Sequence, residues 1–480
     1  MLLYYFDKLK ENKIVNLIQA FLSSIWSIIF VVLLGLLANL FGIEILVYYI
    51  YFLVILLASL FSEDLLCVVP ISCCSYMTFA KQNNPMGYDQ TSIFLEKDTQ
   101  IKFLIVCILI AVTLITRITF EIITKKERVR YPKLTAGFAV LGLTYILGGI
   151  FSGHYDGRTA FFGLVQILAL SFTYFVFYFV IDFKKVRKDY FAVLFTAIGF
   201  MLVGEVFGML HYAGFFKDFD KFNRGLLFTG WGVYNNIGMM MAMMIPAPVY
   251  FAVKKDKGWI FCLISCLFHL ATILTQSRNS ILVGTIVVSV AAVLSIVLVK
   301  GKKRIFNGAS FLGYLIFIIL TITLQKDIIN NLFYSLIQSG SNDSGRFDIY
   351  KYGFENFLKS PILGNGWYVN GVFQWGVVDE NTFLPPRYHN TYVQIIATGG
   401  IAMSAAYLYH RFETVKLIFK NFSIEKLFIG GIIATLVVGS ILDCHFFNFG
   451  PGFIYSGLLL LLEVEDYQII NNINKEAVKQ

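Results

Sequence analysis

The sequence predicts an all-α, polytopic integral membrane protein with about fourteen transmembrane helices. Hydrophobic residues make up 57% of its 480 residues and charged residues only 14%, and its mean hydropathy is +0.70. Apolar runs of about 20 residues, the length that crosses a bilayer core, recur along the whole chain. Lys and Arg fall in short clusters between those runs, as they do in the cytoplasmic loops of membrane proteins.

This composition excludes a soluble globular enzyme, a disordered chain and a collagen-like chain. The formal net charge of +9 would by itself be compatible with nucleic-acid binding, but the placement of the basic residues favours membrane loops. All seven cysteines lie in apolar runs and none forms a CxxC pair. They therefore indicate free, buried thiols and not a disulfide framework.

The apolar runs define the predicted spans. They are residues 17–38, 43–62, 64–80, 101–124, 133–152, 160–182, 190–213, 232–253, 258–275, 279–299, 305–324, 391–411, 427–446 and 449–464. The first run is too long for the apolar part of a signal peptide and indicates a first membrane helix. Run 64–80 is short and contains Pro70, so a re-entrant segment is an alternative there.

Basic clusters set the predicted topology. They lie at residues 125–133, 184–188, 254–257, 300–304 and 411–426, and one pair of spans separates each cluster from the next. Short loops rich in Lys and Arg stay in the cytoplasm, so we expect both termini there too, and this parity requires run 64–80 to cross. The chain is then a single polytopic domain, 1–480, whose longest extracytoplasmic loop is 325–390.

The long outer loop predicts one helix. Phe347, Tyr350, Phe354, Phe357 and Leu358 recur at spacings that line one helical face. The polar stretch 339–345 precedes this helix, and Pro361 with two nearby glycines ends it. The structural interpretation is an amphipathic helix on the membrane surface. The functional one is a lid that excludes water from a site below it.

Two arginines at the predicted outer face are candidates for anion binding. Arg278 lies in a very tight turn between two spans, where its guanidinium fork suits a diphosphate; the alternative is an arginine that snorkels to the interface. Arg346 lies in the first turn of the predicted loop helix, where free N–H groups favour an anion. Its alternative is a solvated or salt-bridged arginine paired with Asp343 or Asp348.

The third candidate stretch is Arg387-Tyr388-His389-Asn390, directly before span 391–411. A neutral His389 can accept a proton from a hydroxyl group, and Asn390 is a good N-cap for the following helix. The alternative for His389 is a capping or interface residue. Glu205 and Asp443 are charged residues inside predicted spans, and Glu205 is a candidate to hold an arginine or line a substrate cavity. Neither metal-ligand spacing nor a nucleotide-sugar motif occurs, so no metal or cofactor is predicted.

Four motifs in order resemble one known family. They are the segment Leu274–Gly284 around Ser277-Arg278, the segment Gly345–Gly353, the turn Ser360-Pro-Ile-Leu-Gly-Asn-Gly366 and the segment His389–Ile401. Trp231 and Asn235 also fit an upstream W-x-x-x-N stretch. Over residues 231–401 the chain is similar to the O-antigen ligase and O-antigen or capsular polysaccharide polymerase family.

The resemblance implies a polytopic glycosyltransferase of the GT-C-like type in the plasma or inner membrane. Its donor would be an oligosaccharide on undecaprenyl diphosphate, and no metal would be needed. Arg278 and Arg346 match arginines that hold the diphosphate, and His389 matches the histidine that activates or positions the acceptor hydroxyl. Arg387, Asn390, Glu205 and Asn235 are expected to contact substrate.

The predicted function is polymerisation of lipid-linked repeat units into a surface polysaccharide such as capsule, exopolysaccharide or O-antigen. One alternative is a ligase that transfers the lipid-linked glycan to another acceptor. Another is a lipid-linked oligosaccharide flippase. Besides this substrate and membrane lipid, the expected partners are a flippase and chain-length regulator proteins, with no nucleic acid.

Overall fold

The protein is all-helical, as the sequence predicts, in the residues that the structure describes. This structure is a computed structural model. It describes residues 12–41, 43–62, 64–75, 97–124, 131–153, 155–215, 228–229, 232–326, 330, 346–367, 388–447 and 449–477. One antiparallel pair of two-residue strands, β1 (Phe228–Thr229) and β2 (Gly232–Val233), interrupts the described helices.

The helices are labelled in chain order. They are α1 (Lys13–Leu22), α2 (Ile25–Phe41), α3 (Glu44–Phe61), α4 (Val68–Ser75), α5 (Lys97–Thr124), α6 (Thr135–Leu147), α7 (Gly157–Tyr178), α8 (Tyr190–Tyr212), α9 (Tyr234–Met244), α10 (Pro246–Lys254), α11 (Gly258–Leu274), α12 (Arg278–Val297), α13 (Lys302–Leu324), α14 (Arg346–Lys359), α15 (Thr391–Phe419), α16 (Ile424–Gly439) and α17 (Phe449–Ala477).

Several described helices have the length and composition to cross a bilayer. Four segments of the described chain qualify outright: 190–211, 234–254, 278–297 and 302–324. Two bent helix pairs, 13–38 and 157–178, raise the number to six if each pair is a single span. The predicted total of about fourteen spans stays a prediction.

Helix boundaries differ from the predicted spans at several places, three of which bear on the site or the topology. In run 64–80 the described helix is α4, which has eight residues and would rise only about 12 Å; residues 76–80 lie outside the described part. Helix α16 ends at Gly439, so Asp443 lies in a connection and not inside a span. Helix α15 continues to Phe419, which places Arg411 within a helix and not in a loop.

The chain divides into two compact units. The first comprises residues 1–130, 173–337 and 428–435. It contains the methionine-rich helix α9, which is buried from Asn236 to Met244, followed by α10. Pro246 starts α10 and carries no N–H. The hydroxyl of Ser265 donates to the carbonyl of Ile245 at 2.7 Å, so the backbone is paired at this junction as an apolar environment requires.

The second unit comprises residues 131–172, 338–427 and 436–480. Helix α6 packs along α15, and α14 packs against the first turns of α15. The buried Lys426 forms an ion pair with Asp466 at 2.6 Å, and Lys133 bonds to the same carboxylate. These contacts connect the start of α16 to α17 by a paired, buried cation.

Helix α15 is broken at Gly400, whose backbone is left-handed (φ 63°). The turn 361–366 closes the break from both sides. Ile401 N and Ala402 N donate to Pro361 O and Ile362 O at 2.9 and 3.0 Å, while Asn365 N and Gly366 N donate to Ala397 O and Thr398 O at 2.9 and 2.8 Å. The predicted Pro-Ile-Leu-Gly-Asn-Gly turn therefore supplies hydrogen-bond partners for the backbone N–H and C=O groups that the break in α15 leaves unpaired.

Replacing Gly400 by alanine is expected to destabilise the protein strongly. An added Cβ would lie 2.5 Å from Pro361 O, at a left-handed position. Gly153→Ala is the matched control, because Gly153 also has a positive φ (72°) but nothing lies within 4 Å of an added Cβ. We expect a loss of about 1–2 kcal/mol for Gly153→Ala and more than about 3 kcal/mol for Gly400→Ala. Thermal unfolding in detergent measures both, and equal losses would contradict the proposed packing of the turn.

Candidate functional site

The connection between α16 and α17 is built around four successive carbonyl groups, those of residues 440–443. Each accepts a hydrogen bond from the start of α14 or α15. The bonds run from Thr391 N to Ser440 O at 2.9 Å, from Asn390 Nδ2 to Ile441 O at 2.8 Å, from Arg346 Nη1 to Leu442 O at 3.2 Å and from Thr391 Oγ1 to Asp443 O at 3.3 Å. This network brings the three segments together.

His389 occupies a conformation that few non-glycine residues adopt, with φ 51°. Its carbonyl accepts a hydrogen bond from the Tyr350 hydroxyl at 3.2 Å. Burial raises the pKa of Tyr350, so the hydroxyl stays protonated and remains a donor. Left-handed residues held in place by their surroundings cluster at functional sites, and here α14 holds the backbone of His389.

The side chain of His389 faces the carboxylate of Asp443. The distance from His389 Nδ1 to Asp443 Oδ1 is 3.2 Å, and the imidazole is 42% exposed while the carboxylate is 10% exposed. An ionised carboxylate only accepts hydrogen bonds, so Nδ1 carries the proton in this pair. In the neutral ring Nε2 is then the basic nitrogen, which is the arrangement of an oriented general base.

Asp443 is held in its ionised form. Burial alone would raise the pKa of this carboxyl, but the hydrogen bond with His389 and the neighbouring His445 outweigh burial and hold the pKa well below its usual range. The backbone N–H of Cys444 donates to Asp443 Oδ1 at 2.7 Å and acts in the same direction. The carboxylate is therefore a fixed partner for the imidazole.

Arg346 is the first residue of α14, so a helix forms at the predicted place, while the extracytoplasmic loop around it stays a prediction. The helix contacts the protein through residues outside the apolar pattern. Its buried residues are Ile349, Gly353 and Asn356, and they lie against the segment that begins with Tyr388. Phe347, Phe354 and Leu358 are exposed, so the apolar pattern of α14 describes the surface that points away from the protein.

Arg278 lies in the other unit, as the first residue of α12 after the N-cap Ser277. The first turn of α9 packs on this turn, because Ser280 Oγ donates to Asn235 O at 3.2 Å. A Cβ added at Gly238 would lie 2.6 Å from Thr275 Oγ1. The structure therefore brings Asn235 and Arg278 to the same part of the first unit.

Gln276, two residues before Arg278, is a residue whose role the sequence does not reveal. Its backbone is left-handed (φ 56°) and its side chain is 0% exposed. Neither amide atom has a hydrogen-bond partner in the described part of the chain. Burying an amide without a hydrogen-bond partner costs free energy. The turn at Arg278 therefore contains an amide donor and an amide acceptor that no described residue uses.

The remaining predicted site residues have different outcomes. Asn390 is the N-cap of α15, with Oδ1 accepting from Tyr392 N at 2.8 Å and Val393 N at 3.1 Å, so its side chain is engaged by the backbone. Glu205 is buried on α8, 4% exposed. Arg387 lies outside the described residues. A shared substrate site for Arg278, Arg346 and His389 stays a prediction.

The sequence contains only a weak signal for the role of Asp443. The signal is a charged residue in an apolar run, 54 positions after the histidine that it contacts. Among the described residues no group of three or more His, Cys, Asp or Glu side chains is placed to hold a metal ion. The polar centre of the second unit is thus an oriented His–Asp pair beside an arginine at a helix N-terminus.

Comparison with known proteins gives one family. Residues 260–408 match the model of a family described as O-antigen ligase. The match contains Arg278, Arg346 and His389, and it overlaps residues 231–401, whose motifs resemble that family. The resemblance is therefore confirmed over this part of the chain. A comparison with curated proteins gives no significant match.

Asn390→Ala is expected to destabilise the protein by about 1–2 kcal/mol, because it removes an N-cap and the donor to Ile441 O. The matched control is Asn12→Ala, since Asn12 caps α1 with bonds to Ile14 N and Val15 N at 2.9 and 3.4 Å. Both of these side-chain bonds lie within its own helix, so their loss should lower the unfolding temperature less. A smaller effect at Asn390 than at Asn12 would contradict the structural role.

Proposed function

We propose that this chain, whose residues 260–408 match the O-antigen ligase family, is a membrane glycosyltransferase acting on polyprenyl-diphosphate-linked oligosaccharides. The leading form is a polymerase that moves a growing glycan from one carrier lipid onto the terminal sugar of another lipid-linked repeat unit. The observation that carries the proposal is the His389–Asp443 pair, which sits beside Arg346 in the structure.

The reaction needs one proton acceptor and one stabilised leaving group. The hydroxyl oxygen of the acceptor sugar attacks the anomeric carbon, and a new C–O bond forms there. The bond between that carbon and the diphosphate oxygen breaks, and the polyprenyl diphosphate leaves with the bonding electrons. The hydroxyl proton passes to a base, so atoms and charges balance without a further reactant.

His389 is the proposed base. The contact with Asp443 orients the ring and leaves Nε2 to take the proton, and the carboxylate stabilises the imidazolium that results. The half-exposed imidazole is open to a ligand, whereas the carboxylate is nearly buried. Together these features give His389 a defined tautomer and a stable protonated form.

Arg346 and Arg278 are the proposed diphosphate ligands. Fixed cations aimed at developing negative charge are often the largest contribution to catalysis, and two guanidinium groups supply charge without a metal. The bond to Leu442 O fixes Arg346 next to the connection that carries Asp443. Arg278 begins α12, where the helix N-terminus favours an anion.

The ligase reaction is the second candidate, and the description of the matched family favours it. It uses the same donor, base and leaving group and differs only in the acceptor. We place either reaction at the extracytoplasmic face of the cell membrane, with both chain termini in the cytoplasm. The distribution of basic clusters supports this placement.

Purified protein incubated with lipid-linked repeat units tests the function. A ladder of multimers on the carrier lipid supports the polymerase, and transfer only to an added glycan or lipid acceptor supports the ligase. Arg346→Ala and His389→Ala are each expected to lower product formation by about 10²–10⁴-fold. Intact substrate with folded wild-type protein would instead indicate transport.

Arg304→Ala is the matched control for Arg346→Ala. Arg304 also lies in the first turn of a helix and its Nε donates to the carbonyls of Ile296 and Val299 at 3.0 and 3.1 Å. It belongs to a basic cluster that we expect in the cytoplasm. Its replacement should leave the ladder unchanged, and equal losses in the two variants would reject a specific role for Arg346.

Asp443→Asn tests the orientation of His389. An asparagine keeps the size of the side chain but removes the charge, so the imidazolium that forms in the reaction loses its partner. We expect at least about a tenfold loss of turnover. Unchanged turnover in a folded variant would reject Asp443 as the partner of the base.

A further inference from the structure

Arg411 lies inside the second unit, although the sequence predicts it at the edge of a cytoplasmic loop. Its guanidinium carbon is 4.3 Å from the ring centre of Phe446, 4.7 Å from that of Tyr455 and 4.8 Å from that of Tyr407. All three guanidinium nitrogens are buried, and no described residue offers them a hydrogen-bond acceptor in good geometry. Arg411 is therefore held by aromatic faces.

This environment is unusual for a permanent cation. A buried charge normally has a counter-charge, as Lys426 has in Asp466 at 2.6 Å. Arg411 instead uses the negative faces of three rings, an attraction that strengthens when water is excluded. A charged residue retained inside an apolar helix is by default a candidate for function.

The ring closest to Arg411 belongs to the segment that carries Asp443. Phe446 is the middle residue of a 3₁₀ turn, His445–Phe447, which follows Asp443 and Cys444 directly. Phe446 also packs edge-on against Tyr407 and Tyr455, with centroid distances of 5.2 and 5.3 Å. The position of this turn therefore depends on the packing of the three rings around Arg411, those of Phe446, Tyr407 and Tyr455.

The other side of the turn is also aromatic. Phe447 packs against Trp367 at 5.2 Å and Tyr145 at 6.0 Å, and Trp367 Nε1 donates to Tyr145 O at 2.9 Å. The carbonyls of residues 440–443 are fixed by α14 and α15, whereas residues 445–447 are fixed by these rings. Asp443 lies between the two anchors.

We propose that Arg411 is a positioning residue for the His389–Asp443 pair: its guanidinium, clamped by Phe446, Tyr407 and Tyr455, fixes the turn that keeps the Asp443 carboxylate against the imidazole. The proposal rests on the proposed function for its catalytic consequence. The geometric part stands independently, because it concerns only whether removal of Arg411 changes the contact between Asp443 and His389.

The groups that act on this pair come from several elements. Besides each other, Asp443 and His389 have His445 and Cys444 on the same connection and Tyr350 with Arg346 on α14. None of these is changed in the variants below apart from Asp443 itself. The change that Arg411 variants and Asp443→Asn would share is therefore the loss of the contact between the Asp443 carboxylate and the imidazole.

The test measures His389 directly, without substrate. Diethyl pyrocarbonate reacts with an imidazole nitrogen, and mass spectrometry of the His389 peptide gives the modification rate at one fixed pH. In the full-length protein in detergent, Asp443→Asn should lower this rate, because the carboxylate no longer holds the ring in the tautomer whose free nitrogen is Nε2. Arg411→Met should change the rate in the same direction, and the double variant should add nothing further.

Lys426→Met is the matched control, since it also replaces a buried cation by methionine in the same unit. It should lower the unfolding temperature but leave the modification rate of His389 at the wild-type value. If Arg411→Met is not recovered folded, Phe446→Leu removes the nearest ring and should give the same change in rate. A wild-type modification rate in a folded Arg411→Met or Phe446→Leu variant overturns the proposal.

The catalytic consequence is measured separately. With lipid-linked repeat units, Arg411→Met should lower kcat by about tenfold or more while KM for the donor changes little, since the residue does not touch substrate. A changed modification rate of His389 with an inactive wild-type protein would retain the positioning role and reject the proposed function. An unchanged modification rate with lowered kcat would reject the positioning role alone.

Discussion

The need to pair every backbone N–H and C=O group in apolar surroundings governs the second unit. A continuous helix meets this need by itself, but a break leaves several orphan groups that cost free energy unless something else binds them. Two breaks occur here, at Gly400 and at residues 440–444, and each is closed by bonds from a segment distant in sequence. The two breaks thus determine which segments meet.

The closure of these breaks also creates the site. The turn 361–366 fixes the end of α14 against the middle of α15, while the starts of α14 and α15 fix the carbonyls of residues 440–443. His389 and Asp443 face each other because both lie at ends of helices that this network holds. A polar pair in an apolar protein therefore needs no polar core; it needs only two helix ends whose backbone bonds are already satisfied elsewhere.

The sequence predicts the helices better than it predicts their partners. Apolar runs place most helices to within a few residues, and Phe347 to Leu358 predict a helix that the structure contains, because periodicity is a local property. The exposed aromatic residues of α14 are compatible with the predicted amphipathic helix on a membrane surface. Its buried face contains small or polar residues such as Gly353 and Asn356. The sequence does not predict this second face, because hydropathy does not measure the size that a close helix contact requires.

In the candidate site, too, the sequence predicts residues with a local signal better than residues whose role depends on distant contacts. Motifs single out His389 and Arg346, since each lies beside a recognisable helix start, and both lie within the residues that match the family. Asp443 and Arg411 do not lie beside a recognisable helix start. In the sequence Asp443 is a charged residue in an apolar run, and Arg411 is the first residue of a basic cluster. Their roles depend on contacts 54 and 35 positions away, with His389 and Phe446. A basic residue near a predicted loop is therefore evidence for topology only when its side chain can reach water. Arg411 cannot, because aromatic rings occupy the positions where solvent or an anion would bind.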